Sequence, residues 1–325
     1  MTWHNIPLLA WDLETTGVDV ETARIVTAAA VDWKPSLTAD TLPGHARLWL
    51  ADPGIDIPIE ATKVHGITTQ RARAEGRPAA EVVDENATTL ATALAEGIPL
   101  VIMNARYDLT VLDRECRRHG LPTLEERLGH PIGPVIDPLV LDKAADKFRP
   151  GSRRLEALAE HYGVTLTDAH TADADALAAV QVAVAIGEKF EQLQVAADRV
   201  HAWQIRWAAE QAASFQAYRR RTEPGAVIVG DWPLIPYRDE LAVAREQLDA
   251  FRRVVVGHVA KSLTSGDLTS WRLACDLAKE LDGAGVNVDE AVGRHLEAQG
   301  LDARAAWLPP AEVLDDAKQP SKAPL

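Results

Sequence analysis

The chain has 325 residues, 47% of them hydrophobic and 25% charged, the composition of an ordinary soluble globular protein with length for one large domain or two smaller ones. Its formal net charge of −14 argues against broad binding to a phosphate backbone, which shows as a basic face, and leaves open a local site where divalent cations mediate the approach. Residues 185–325 carry 17 Lys+Arg against 21 Asp+Glu and the first 184 carry 17 against 27, so the acidity is concentrated in the N-terminal part.

Cys116 and Cys275 lie far apart without C-x-x-C spacing, the usage of reduced thiols in a cytoplasmic protein rather than of a disulfide framework or zinc site. The opening stretch MTWHNIPLLAWDLE has no basic n-region, and its apolar run is broken by Asp12 and Glu14, so no signal peptide is expected. No apolar stretch approaches the roughly 20 residues that cross a bilayer, and a membrane role is not expected.

In chain order, IPLLAWDL (6–13), RIVTAAAVDW (24–33) and HARLWLA (45–51) are short apolar runs between turn-forming stretches and predict three consecutive strands in an antiparallel meander. PAAEVVDENATTLATALAEG (78–97) spaces Val82, Val83, Leu90 and Leu94 at helical intervals, begins with Pro and stops at Gly97. IPLVIMN returns to the sheet. DLTVLDRECRRHG puts Leu109, Leu112 and Cys116 on one helical face and stops at Gly120; PVIDP is a further short strand, with Asp137-Pro138 as N-cap and first helical position. From residue 171 onward alanine and leucine dominate and no strand signal precedes GAVIV (225–229). RTEPGAVIVGDWPLIP carries several turn formers and reads as a linker or domain boundary. Three helices are expected beyond it, then a disordered tail.

Asp12 and Glu14, two apart in a strand, point to the same side while Trp11 and Leu13 point to the other. Carboxylates so close repel, and they are comfortable when exposed, partly protonated or bridged by a cation. The bland reading is a solvated strand end. Asp108 starts a helix directly after the strand IPLVIM. In HTADADALAAV, His170 precedes Asp175 by five residues, about 500° of helical rotation, so His170 belongs to the preceding loop and Asp175 to the helix. A cluster of four carboxylates, Asp12, Glu14, Asp108 and Asp175, becomes possible.

These segments resemble the DnaQ-like 3′→5′ exonucleases of the DEDDh type. DLETTG (12–17) is similar to the family's first motif, NARYD (104–108) to its second and HTADAD (170–175), fitting H-x4-D, to its third, in the same order and spacing. IPIEATKVHGIT (57–68) and VIDPLVLDKAADKFRPGSRRLEALAEHYGV (135–164) extend the resemblance over roughly residues 6–190. Met103 departs from the pattern, standing where many members carry His. The resemblance implies an α/β, RNase H-like fold, a five-stranded mixed sheet flanked by helices, over residues 1–190. A mainly helical region of unknown function over 191–308 and a disordered tail over 309–325 are expected to follow.

The resemblance also implies roles. Asp12 would bridge two divalent ions, Mg²⁺ or Mn²⁺ as hard oxygen ligands prefer, Glu14 and Asp175 would complete the first and Asp108 would hold the second. Two ions about 3.5 to 4 Å apart stabilise the attacking and leaving oxygens of a phosphodiester hydrolysis, and His170 would be the general base. Leu13, Thr15 and Thr16 belong to the segment that lies against the terminal nucleotide in the family, Asn104 to the second motif, and His65 to a segment lining the site; all five are candidate substrate contacts. For Thr15 and Thr16 a plain turn role competes, and for His65 a structural histidine. Asp173 is a solvated helix residue or a decoy beside Asp175.

Outside the motifs, FQAYRRR (215–221) interleaves aromatic and basic residues, the composition of a single-strand contact or of a solvated helix end. QLDAF (247–251) is similar to the peptide by which polymerase-associated proteins bind the sliding clamp, although it sits in a helical stretch. The expected activity is removal of mononucleotides from a single-stranded DNA 3′ end, in proofreading or repair. The rivals are an exoribonuclease and a polymerase-associated nucleic-acid-binding adaptor; the expected partner is a single-stranded nucleic-acid 3′ end, DNA before RNA, with a DNA polymerase or sliding clamp as a further candidate.

Overall fold

The computed structural model describes residues 1–36, 46–166 and 171–238, with 261, 262 and 270. The chain divides into two compact units, Met1–Tyr237 and Arg238–Leu325. The three helices expected after residue 238, the QLDAF stretch and the tail lie outside the described residues. No helix among the described residues is long and apolar enough to cross a membrane.

Three strands open the first unit, β1 (Leu8–Thr15), β2 (Ile25–Trp33) and β3 (Ala46–Asp52), in the expected antiparallel meander. There follow α1 (Ile59–His65), α2 (Thr69–Glu75), β4 (Arg77–Pro78), α3 (Ala79–Ala95), β5 (Leu100–Val101), α4 (Ala105–Arg118) and α5 (Leu124–Leu128). The unit continues with β6 (Val135–Ile136), α6 (Pro138–Ala145), α7 (Leu155–Tyr162), α8 (Ala172–Lys189) and α9 (Ala197–Arg219). The sheet runs β4-β3-β2-β1-β5-β6, with β1, β5 and β6 parallel. It has one strand more than the five expected, because the two residues of β4 pair with the end of β3. That approach needs a glycine: a Cβ on Gly76 would stand 2.3 Å from the Ala72 carbonyl oxygen and 2.6 Å from Ala51.

Alternation along β1 sorts its side chains onto two faces. Leu9, Trp11 and Leu13 join the core under α3 and α4 with Leu90, Leu109 and Leu112, while Leu8 and Ala10 pack beneath α8 with Val180, Ala183 and Ile186. Trp11 buries its whole ring because its Nε1 donates to Asn86 Oδ1 of α3 at 2.8 Å, which satisfies the indole N–H. Asp12 and Glu14 continue the α8-facing row.

β6 ends the sheet, and an unpaired strand edge in a fold's interior must find other partners. α9 supplies them with side chains. The Val135 N–H donates to His201 Nδ1 at 3.1 Å, the Val135 carbonyl accepts from Gln204 Nε2 at 2.8 Å, and the Asp137 N–H donates to Gln204 Oε1 at 2.7 Å. Gln204 thus presents one donor and one acceptor as a neighbouring strand would. Gly133 admits the helix, since a Cβ there would lie 2.8 Å from the His201 ring.

The stretch that reads as a linker or boundary packs as a strap on the first unit and ends just before the division at Tyr237. Residues 225–229 form no strand. The Ile228 N–H is taken by Gln216 Oε1 at 2.9 Å, Trp232 and Leu234 are buried in the core, and the Ile235 N–H donates to Thr110 Oγ1 at 2.9 Å. Arg106 donates to the Val229 carbonyl. The turn formers gave the stretch its loop conformation; its apolar residues, Trp232 and Leu234, fasten it down.

Candidate active site

Ligand-binding crevices in such sheets open beyond the carboxyl ends of parallel strands, where strand order switches. β1 occupies that position, between antiparallel β2 and parallel β5. At its end Asp12 and Glu14 lie opposite Ala29 and Thr27 of β2, short side chains that leave room above the carboxylates. A register shift between Glu14 and Thr15 ends the regular ladder. From the far side α8 brings in Asp175 in its first turn. One ligand oxygen from each of Asp12, Glu14 and Asp175 falls within 4.8 Å of the others.

Asp108 arrives from α4. The chain leaves β5 and turns at Asn104, φ 60° and ψ 44°, a left-handed conformation that Asn accepts more readily than most residues. That turn places Asp108 in the first helical turn, only 4% exposed. Burial and the carboxylates of Asp108, Asp175 and Glu14 push the Asp12 carboxyl well above the usual range. Burial also raises Asp108, against the pull of its own N–H and that of Leu13, and Asp137 and Glu14 raise it further. Glu14 is pushed up to about 7 by burial and by Asp175. Among the described residues no Lys or Arg pairs with Asp12 or Glu14.

Asp137, at the end of β6, is the contrasting acid. Its carboxylate accepts from Asn104 N and Ala105 N at 3.0 Å each, from Leu139 N at 2.9 Å and from Trp232 Nε1 at 3.3 Å. It caps α6 as the Asp-Pro pair predicts, and it also holds the start of α4 and the strap, which no local pattern announces.

The other expected contacts divide. Leu13 is buried in the core. The Thr15 hydroxyl bonds the Gly17 carbonyl at 2.9 Å and Tyr107 Oη at 2.5 Å, and the Thr16 hydroxyl accepts from Arg24 N at 2.9 Å, so both hydroxyls brace the turn after β1. Asn104 is exposed and lines a small cavity beside Asp137. His65 is buried, its Nδ1 accepting from Ile67 N at 3.1 Å while its Nε2 has no hydrogen-bond partner among the described residues. Desolvation lowers its pKa, and the nearby Thr15 backbone pulls it partly back. It lines a cleft of about 280 Å³ that starts at Glu14 and is walled by Leu48, Trp49, Ile67, Arg71 and Thr171, with Asp173 at the rim. His170 lies outside the described residues.

Tyr107 was not legible in the sequence as a site residue. Its Oη bonds Thr15 and the Gly17 carbonyl, tying the first turn of α4 to the end of β1, and burial raises its pKa to about 12. An aromatic residue directly before Asp108 is the signal, and a weak one. Arg71 and Leu48 reach the cleft from α2 and β3 and carry no sequence signal.

The donor set is all carboxylate oxygen, the chemistry that hard divalent cations take, and the mutual repulsion of the acids is what such cations relieve. Asp12, Glu14 and Asp175 fit one cation; Asp108 is near enough to raise Asp12 electrostatically and stands outside that group of three.

Comparison with known proteins agrees with this geometry. Residues 9–183, more than half of the chain, match the exonuclease family model RNase_T. The PolC-type DNA polymerase III of Lacticaseibacillus paracasei is 28% identical over 171 residues, 52% of this chain and 10% of that protein. The corresponding Streptococcus thermophilus polymerase is 26% identical over 170 residues, 52% of this chain and 10% of the polymerase. The chain therefore spans about a tenth of the length of these curated relatives. Among solved structures, the zinc-bound complex of Escherichia coli exonuclease I with single-stranded DNA shares the fold, with a TM-score of 0.50 and 22% identity over 58% of this chain and 42% of that one.

Proposed function

The chain belongs to the DnaQ-like exonuclease family, and on that premise we propose that it is a metal-dependent 3′→5′ exonuclease of the DEDDh type, hydrolysing phosphodiester bonds at single-stranded DNA 3′ ends. The observation that carries this reading is the convergence of Asp12, Glu14 and Asp175 within 4.8 Å, with Asp108 near enough to raise Asp12 electrostatically. Asp12, Glu14 and Asp175 would hold one divalent ion, Mg²⁺ or Mn²⁺, and Asp12 with Asp108 a second. Bound there, the ions supply charge neutralisation for the attacking and leaving oxygens of the displacement.

The chain's own groups do the rest. His170, an imidazole and so the side-chain type suited to proton transfer near neutral pH, would take the proton of the attacking water as general base. The cleft beside Glu14 receives the terminal nucleotide, its base against Leu48 and Ile67 and its polar edge toward His65 and Arg71. Tyr107 and the Thr15 hydroxyl hold the two acid-bearing elements in register. DNA rather than RNA is the reading because the curated relatives are DNA polymerases, and association with a polymerase in proofreading or repair follows from the same likeness.

The test supplies 5′-labelled single-stranded DNA and RNA of one sequence with Mg²⁺, Mn²⁺ or EDTA, using wild type, Asp12→Ala and His170→Ala. A ladder shortening from the 3′ end, absent with EDTA and in the Asp12 variant, is expected, faster on DNA. Folded wild type that leaves both polymers intact with either metal would overturn the reading.

A further inference from the structure

Behind the carboxylate site, α6 and α9 diverge and leave a cleft of about 480 Å³ between them. Lys143 and Lys147 stand on the α6 side, and Trp207, Phe215 and Tyr218 of α9 form the opposite wall. Phe215 and Tyr218 are stacked, with ring centroids 6.4 Å apart and planes 16° from parallel, yet they are 48% and 62% exposed. Arg221 lies over the Tyr218 ring, 5.8 Å from its centroid. Exposed, parallel aromatic faces carry a cost in water that a flat ligand removes.

The charge of the cleft is local and only partly engaged: burial lowers the pKa of Lys143 while nearby Asp137 raises it, and Lys147 Nζ lies 5.8 Å from the centroid of the exposed Phe148 ring. Arg153 is already paired with Asp142, and Glu210 on the opposite rim with Arg206 at 3.7 Å. Among the described residues no carboxylate pairs with Lys143 or Lys147. In a chain of net charge −14, two unpaired lysines facing three aromatic rings are a specific arrangement.

The position also fits. α6 starts at the end of β6, two strands from β1 on the same edge of the sheet, so its first turn is roughly 10 Å from the carboxylates. A smaller cavity lined by Asn104 and Asp137 shares Lys143, Gln211 and Phe215 with the cleft and fills that interval. Eight residues of α6 add roughly 12 Å.

We infer that this cleft is a binding track for the single strand upstream of the scissile bond, with bases stacking on Phe215 and Tyr218 and phosphates meeting Lys143 and Lys147. The inference rests on the exonuclease reading, which supplies the strand. The cleft's aromatic wall on α9 lies beyond the segment that matches the family while its lysines lie within it, and the combination of basic groove and stacking rings is the one that holds single strands without sequence preference.

The test measures fluorescence anisotropy of labelled oligothymidylates of 3 to 20 nucleotides in Ca²⁺, without turnover, for wild type, Phe215→Ala/Tyr218→Ala and Lys143→Gln/Lys147→Gln. Wild type should gain affinity with length, and the aromatic variant should lose about 10-fold or more of that gain. The lysine variant should reduce the slope of log K against log salt by about 1.4. Ile205→Ala, exposed elsewhere on α9, should match wild type. A length gain and salt slope that survive in both variants would overturn the track and leave the cleft to a protein partner. If the aromatic variant does not fold, the lysine variant decides alone. Hydrolysis of the p-nitrophenyl ester of thymidine 5′-monophosphate by wild type with Mn²⁺ reports separately on the exonuclease reading, since that substrate never reaches α9.

Discussion

Asp12 at the end of β1 and Asp137 at the end of β6 occupy equivalent places, each the acid that closes a parallel strand on the same edge of one sheet. Their surroundings are opposite. Asp137 accepts four hydrogen bonds, and these donors pull its carboxyl down against burial, which still leaves it above the ordinary range. Asp12 is met by three further carboxylates, each of which raises it. The first arrangement is complete as folded and fastens α4, α6 and the strap together. The second is strained until protons or cations neutralise it, so the fold holds an electrostatic penalty at the place where the proposed ions would bind.

Substitutions should separate the two. Asp12→Ala should reduce turnover by about a thousandfold or more, several kcal/mol of transition-state stabilisation, while the metal-free melting temperature stays level or rises because a repelled charge is gone. A collapsed fold by circular dichroism would assign Asp12 a structural role instead. Asp137→Ala should do the converse, costing about 3–5 kcal/mol of stability in denaturant titration by stranding four donors, with Asp137→Asn milder since one oxygen remains.

A smaller effect is expected one element away. Gln204→Leu should cost about 2 kcal/mol, since the Val135 carbonyl and the Asp137 N–H would be buried without partners. Calorimetry reads it, and a change within error would mean that water takes over both groups. The least effect belongs to Glu14. Its folded value of about 7 lies above its ordinary 4.5, so the folded chain binds more protons between the two and loses stability as pH rises through that window. The metal-free melting temperature should decline a few degrees from pH 5 to 8, Mg²⁺ should recover it at the upper end, and Glu14→Gln should flatten the decline.

Residue types alone do not distinguish the two acids, since each follows a short apolar run. The meander, α3, α4 and the acid pair were legible because alternation and helical spacing are local properties. Asp108 and Asp175 were legible through their motifs and their places at helix starts. Asp137 was legible as a cap of α6 and not as a brace of α4, because the donors from Asn104 and Trp232 come from 33 and 95 residues away. The packing of the strap was not legible for the same reason: its turn formers and its place at a boundary are visible locally, whereas the core that accepts Trp232 and Leu234 is built from distant strands and helices. Two-residue β4 exists only because β3 is beside it.

The side chains of His201 and Gln204 that finish β6 have a consequence for anyone trimming the protein. A chain cut near residue 190 would keep every matched motif and remove the cover from the last strand. Its bare Val135 and Asp137 backbone groups would then offer a template to the next molecule. Such a fragment should clump by edge-to-edge pairing, whereas one ending after Tyr237 should stay dispersed, which makes α9 a solubility guard as well as a wall.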